Sequence, residues 1–147
     1  MIADFERLLG TDLAGIAALA SSFANWGAQA ALTEREIFQV NVVLEELVTN
    51  VIVHGLGVGG PGWVRLRIAR QGDYLALELR DNAPPFDPFQ APPPPLVADI
   101  DARMIGGLGV HLVRRLVDEC GYARTDGLNI VQLRKRLDAP LRGRGSS

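Results

Sequence analysis

Seven of the nine prolines in this 147-residue chain fall between Pro84 and Pro95, in the run NAPPFDPFQAPPPP. Proline has no amide hydrogen to give, and its ring clashes with the preceding helical turn. Residues 82–105 can therefore be neither helix nor central strand over most of their length. The segment splits the chain into two blocks that must each supply their own regular structure. A structureless connection this long inside a compact domain is uncommon, and it usually serves as a lid over a site or as a disordered segment. The first expectation is a functional lid or a disordered segment at 82–105.

The block before the lid reads as strand, helix, helix, strand, strand. Residues 3–9 suit a short edge strand. A helix starts near Thr11 or Asp12, either of which can cap it, and runs through LAGIAALASSFANW. In LTEREIFQVNVVLEELVTNVIVHG, Thr33 and Glu36 form a capping box, and Gly55 is the natural stop. GLGVGGPG is a flexible turn. WVRLRIAR and YLALELRD alternate apolar and polar residues, as half-buried strands do, and the short QGD connection makes them antiparallel. After the lid, GGLGVHLVRRLVDEC opens on glycine and continues as an amphipathic helix, with Cys120 expected at its end as a small buried hydrophobe. YARTDGLNIVQLRKRL closes as a hairpin turning at Asp126-Gly127. Helices grouped against antiparallel strands give an α+β fold, a two-layer sandwich of helices on a mainly antiparallel sheet. One domain at 1–138 and a flexible tail at 139–147 are expected.

Composition narrows the function classes. The chain is 48% apolar, which suits one globular core. Its formal net charge of −2 shows no basic surface for nucleic acid or anionic lipid. The single cysteine rules out an internal disulfide and a cysteine zinc cage. Acidic residues come early in MIADFERLLG and no apolar h-region follows. No apolar run is read as long enough for a membrane span. A cytoplasmic protein is expected, with no direct nucleic-acid or membrane partner.

Three stretches carry residues suited to chemistry. On the long helix, Glu46, Asn50 and His54 recur at four-residue spacing and form one slowly drifting stripe, with Gln39 on the same side. Ile37, Val40, Leu44, Leu47, Val48 and Val51 cover the other face. A polar stripe alone reads first as a solvated face. Its flanks, Val42 and Val53, and its choice of Asn and His over Lys and Glu favour a cleft. Asp81 ends a strand where the prolines begin, and it can accept a hydrogen bond from an exocyclic amine or simply start a turn. Gly106, Gly107 and Gly109 precede a helix, whose exposed N–H groups attract phosphate; a hinge with a cap is the plainer alternative. GVGGPG matches G-x-G-x-x-G by letter, but it follows a helix and leads into a strand, so it is a linker.

In this order, E-x-x-x-N on a helix, Asp at a strand end, a long variable loop and G-x-G opening a helix resemble the histidine-kinase-like ATPase superfamily with the Bergerat fold. EELVTNVIVHG in a short chain is most similar to its anti-sigma-factor serine kinases, over roughly residues 5–137. The resemblance implies ATP and Mg²⁺ as cofactors. It implies Asn50 as the Mg²⁺ ligand and Glu46 as the general base toward a protein serine. It implies nucleotide contacts from Asp81, Ala83, Gly107, Gly109 and Val110. A sigma factor and a STAS-domain antagonist are the implied partners, and a homodimer the implied assembly. His54 is not needed in this scheme and is expected to cap the helix end.

One departure stands out. The family pattern Asp-x-Gly-x-Gly is here Asp81-Asn82-Ala83-Pro84-Pro85, with both glycines gone. A methyl at Ala83 is tolerable where φ is negative, and Pro85 stiffens the lid hinge. Two further readings stay open: a partner-sequestering module with little or no catalysis, and a detached ATP-binding domain of a histidine kinase. DNA binding by the last helix is the weakest, since the chain lacks a basic face.

Overall fold

Thr33 and Glu36 set the start of the longest helix. The Thr33 hydroxyl accepts from the Glu36 amide at 3.1 Å, and the Glu36 carboxylate accepts from the Thr33 amide at 2.9 Å. These bonds satisfy donors that a helix start leaves bare. The computed structural model describes residues 2–90 and 108–138. The remainder of the expected lid at 91–105, Gly106 and Gly107, and the tail at 139–147 lie outside the described residues.

The elements are β1 (Phe5–Leu9), α1 (Ala14–Gln29), α2 (Glu34–Thr49), β2 (Val64–Gln71), β3 (Tyr74–Asp81), α3 (Leu108–Leu116), β4 (Glu119–Thr125) and β5 (Leu128–Arg136). A π-helical turn at Asn50–Leu56 extends α2, and a short 3-10 turn covers Pro88–Gln90. The sheet order is β1-β2-β3-β5-β4, with every pairing antiparallel. This is the two-layer α+β sandwich expected from the sequence. β1 is an edge strand, and Asp126 and Gly127 turn the last hairpin with φ of 53° and 78°. Positive φ at both central residues matches the twist of the flanking strands.

The alternation in β2 and β3 sends Val64, Leu66, Ile68, Leu75, Leu77 and Leu79 inward. They meet Val40, Val43, Leu44, Leu47, Val48 and Ile52 of the long helix in one core. Phe5, Phe23 and Trp26 close the far end with ring centroids 5.7–6.0 Å apart. The Trp26 indole donates to the Ala3 carbonyl at 2.8 Å, which ties the N-terminus to α1. Arg70 donates to the Ala30 carbonyl at 2.7 Å, where α1 ends.

Three expectations need correction. The helix does not stop at Gly55; it runs to Leu56, and Gly57 terminates it at φ 86°. Its capping amide, Gly57 N, donates to the Ile52 carbonyl at 2.7 Å, five residues back. Glu34–Leu56 spans 23 residues at mean hydropathy 1.3, long and apolar enough by length and composition to cross a membrane. Here it is the central core helix between α1 and α3. The last helix ends at Leu116, so Cys120 sits in β4 and is exposed. His54 lies in the last turn of the helix, where the sequence placed it, and is exposed.

Candidate functional site

α2 packs its apolar face on the sheet, and Asn50 at its end lines a cavity between the helix and β3. Leu47, Asn50, Val51, Gly55, Leu79, Asp81, Ala83, Phe86, Pro88, Asn129 and Val131 line it. The cavity measures about 20 Å³. That is room for about one water molecule. Phe86 and Pro88 form its outer wall; Phe86 is 47% exposed and Pro88 is buried.

Asp81 forms the polar end of the cavity and is only 2% exposed. Its Oδ1 accepts from the Ala83 amide and from Asn129 Nδ2, each at 2.9 Å. Both bonds fall on Oδ1, so among the described residues Oδ2 is left for a ligand donor. A carboxylate buried this deeply needs more than two neutral donors to offset its lost hydration. Asn50 is 9% exposed, and its side-chain amide makes no hydrogen bond among the described residues. Its oxygen is a hard donor of the kind Mg²⁺ takes beside phosphate oxygens. The chemistry of this donor set fits a purine nucleotide with its metal.

Glu46 stands one helical turn before Asn50, against the start of α3. A Cβ on Gly109 would overlap the Glu46 carboxylate, so a side chain there would displace the carboxylate from its place against the helix start. The carboxylate thereby faces the positive end of a helix, where negative charge is stabilised. Val110 turns its side chain into the core at 4% exposure. The structure thus brings Asn50, Asp81 and Ala83 onto one cavity, with Glu46 and Gly109 together beside it. Gly107 lies outside the described residues. Gln39 belongs to a separate polar cleft with Arg35, Arg115, Lys135 and Arg136, and His54 points to solvent, so the four-residue stripe is not one surface.

The altered motif has a physical account. Ala83 has no positive φ, so its methyl carries no backbone strain. Gly55 takes up the space instead: a Cβ there would lie 2.9 Å from the Ala83 Cβ. The glycine expected to end the helix is needed for close approach to the motif. Side chains then replace the missing hinge glycines as the means of shaping the loop. Asn129 Nδ2 donates to the Pro84 carbonyl at 3.0 Å, Arg124 donates to the Ala83 carbonyl at 2.8 Å, and the Trp63 amide donates to Asn82 Oδ1 at 2.9 Å. Further along, Arg114 of α3 donates to the Phe89 carbonyl and lies 5.6 Å from its ring centre. Sequence reasoning missed Asn129. The signal was its phase: residues 129, 131, 133 and 135 of β5 face inward, and an amide among Val131 and Leu133 is out of character.

Comparison with known proteins bears on this geometry. Residues 9–135 match the family model described as the histidine kinase-like ATPase domain. The chain belongs to that family. It is 30% identical over 96 residues to the serine/threonine-protein kinase BtrW of Bordetella bronchiseptica, covering 65% of this chain and 68% of that protein. It is 26% identical over 103 residues to the anti-sigma F factor of Anoxybacillus flavithermus, covering 69% and 70%. The fold matches a Mycobacterium tuberculosis structure of RsbU and RsbW domains at TM-score 0.67 and 17% identity, over 95% of this chain and 34% of that one. This family member thus groups with relatives named as serine/threonine kinases and anti-sigma factors.

Proposed function

We propose that this chain is an ATP- and Mg²⁺-dependent serine/threonine protein kinase. We further propose that it acts in the cytoplasm as a partner-switching regulator of a sigma factor and phosphorylates a STAS-type antagonist. The observation that carries the reading is the placement of Glu46 one turn before Asn50, beside a cavity floored by buried Asp81 and next to the glycine start of α3.

The bound nucleotide and its metal supply the phosphoryl group and the charge that activates it. The residues of the chain do the rest. Asp81 Oδ2 accepts a hydrogen from the base amine, and Leu79 and Val131 offer the base an apolar bed. The Asn50 amide oxygen would hold the metal, whose charge would offset that of the phosphates. The backbone at the start of α3 presents N–H groups toward negative charge. Glu46 accepts the proton of the incoming serine hydroxyl, or orients that hydroxyl for in-line attack.

A second reading, a binding module with little catalysis, draws support from the small cavity and from Pro84-Pro85. Calorimetry with ATP, with and without Mg²⁺, separates the two. The kinase reading expects Mg²⁺-dependent binding that weakens in Asn50→Ala. In Glu46→Gln it expects binding to persist while phosphorylation of a serine-bearing antagonist is lost. No binding at millimolar ATP would leave the sequestering module.

A further inference from the structure

Asn129 has more hydrogen bonds than any role as a strand residue requires. Three donors converge on its Oδ1: the Tyr122 hydroxyl at 2.6 Å, the Phe86 amide at 3.2 Å and Arg124 Nη1 at 3.2 Å. A carboxamide has one face that accepts and one that donates, so these donors fix its orientation. Nδ2 must then point at acceptors, and it meets Asp81 Oδ1 at 2.9 Å, the Pro84 carbonyl at 3.0 Å and the Ala83 carbonyl at 3.3 Å. The residue is 3% exposed and lies directly across the sheet from Asp81.

We infer that Asn129 is the positioning residue of the base pocket: it saturates Asp81 Oδ1, presents Oδ2 alone to the ligand, and holds residues 83–86 as the pocket wall. It touches the acceptor of the base rather than the base itself. The inference rests on the reading of Asp81 as the acceptor of a nucleotide amine and adds the group that aims it. With Oδ1 committed and the carboxylate unable to turn, Oδ2 faces a ligand as a bare acceptor. A base with an amine at that position satisfies it. A base with a carbonyl there sets two acceptors against each other and leaves a buried carboxylate short of a donor. Selection of a 6-aminopurine over a 6-oxopurine is therefore a property of the Asn129–Asp81 pair. Neither a shorter hydroxyl nor an alanine at 129 can span Asp81 and the Ala83 and Pro84 carbonyls together.

The test is calorimetry of the full chain with ATP and with inosine triphosphate, alongside Asn129→Ala and Tyr122→Phe. One hydrogen bond to a charged group corresponds to a preference of about 10- to 150-fold for ATP in the unaltered chain. In Asn129→Ala the preference collapses toward equality. Tyr122→Phe removes one locking donor, keeps the ring packing and gives an intermediate preference. Hydrogen exchange reads the same device without any nucleotide: the Phe86 amide, which donates to Asn129, exchanges faster in Asn129→Ala than amides of the β2–β3 ladder. If Asn129→Ala does not fold, Tyr122→Phe decides the matter by the same ratio. Equal weakening of both nucleotides with the ratio unchanged would overturn the inference and leave Asn129 as packing. An unaltered chain that binds neither nucleotide would instead overturn the nucleotide reading of the site, and this inference with it.

Discussion

Adding one methyl at Gly55 probes the contact between the π-helical turn and the altered loop. The new Cβ would sit 2.9 Å from the Ala83 Cβ. Carbon atoms are most comfortable at about 3.5–4.0 Å, so one side must move by roughly 0.6–1 Å. Forcing a methyl into a packed site costs about 1–3 kcal/mol. Alanine also lowers the entropy of the unfolded chain, which returns about 0.4–1 kcal/mol. Gly55→Ala should therefore destabilise by about 1–2 kcal/mol. Ala83→Gly alone loses a buried methyl, worth about 0.8 kcal/mol, and adds backbone freedom worth about 0.5–1 kcal/mol. In the double variant the clash is gone and the alanine at 55 keeps its benefit. Urea denaturation of all four proteins gives a coupling energy, expected at about 1–3 kcal/mol and favourable to the pair. A coupling within about 0.5 kcal/mol of zero would refute the reasoning, because the two sites would then be independent.

Other substitutions have definite expected outcomes. Gly109→Ala drives a methyl into the Glu46 carboxylate, so it should weaken both ATP binding and phosphotransfer, and Glu46→Ala in the same chain should restore binding but not transfer. Glu36 is 1% exposed and its Oε2 also accepts from the Asp138 amide at 2.5 Å. Glu36→Ala should lose the capping box and this bond together, about 2–5 kcal/mol, seen as a drop in thermal midpoint of about 5–15 °C. Burial pushes the Glu78 carboxyl up, but hydrogen bonds from Gln132 and Arg80 and the Arg80 charge outweigh it and hold it below its ordinary value of 4.5. Its contribution to stability is therefore present above that value and is lost as the pH falls through the lowered one. Glu78→Gln should flatten that part of the acid denaturation curve.

The local rules that survived from sequence to structure share a trait: each needs only neighbours along the chain. The Thr33–Glu36 box, the Asp126-Gly127 turn and the alternation of β2 and β3 are satisfied within a few residues, so tertiary packing had no reason to overrule them. The misreadings needed distant partners. Gly55 looked like a helix stop because glycine ends helices, but its reason for being glycine is Ala83, which no local pattern reveals. Cys120 seemed buried because it was placed on a helix; the helix ends at Leu116 after nine residues and hands it to an outer strand. Of the site, Glu46, Asn50 and Asp81 were legible as types at a spacing. Asn129 was not, because a single amide in β5 acquires meaning only when antiparallel pairing sets it opposite Asp81.

The π-helical turn at Asn50–Leu56 reconciles two alignments that a uniform α-helix could not satisfy together. Upstream, packing of α2 on the sheet fixes the angle at which Asn50 meets the cavity and Glu46 meets Gly109. Downstream, Gly55 must meet Ala83, and Gly57 must end the helix at positive φ. Each residue added to an α-helix rotates the chain beyond it by about 100°. The wider turn takes in extra chain and so works as a phase adjuster between the two ends. Deleting Val53, which lines no part of the cavity, would keep every lining residue and still misaim Gly55, and the loop it meets, relative to Asn50.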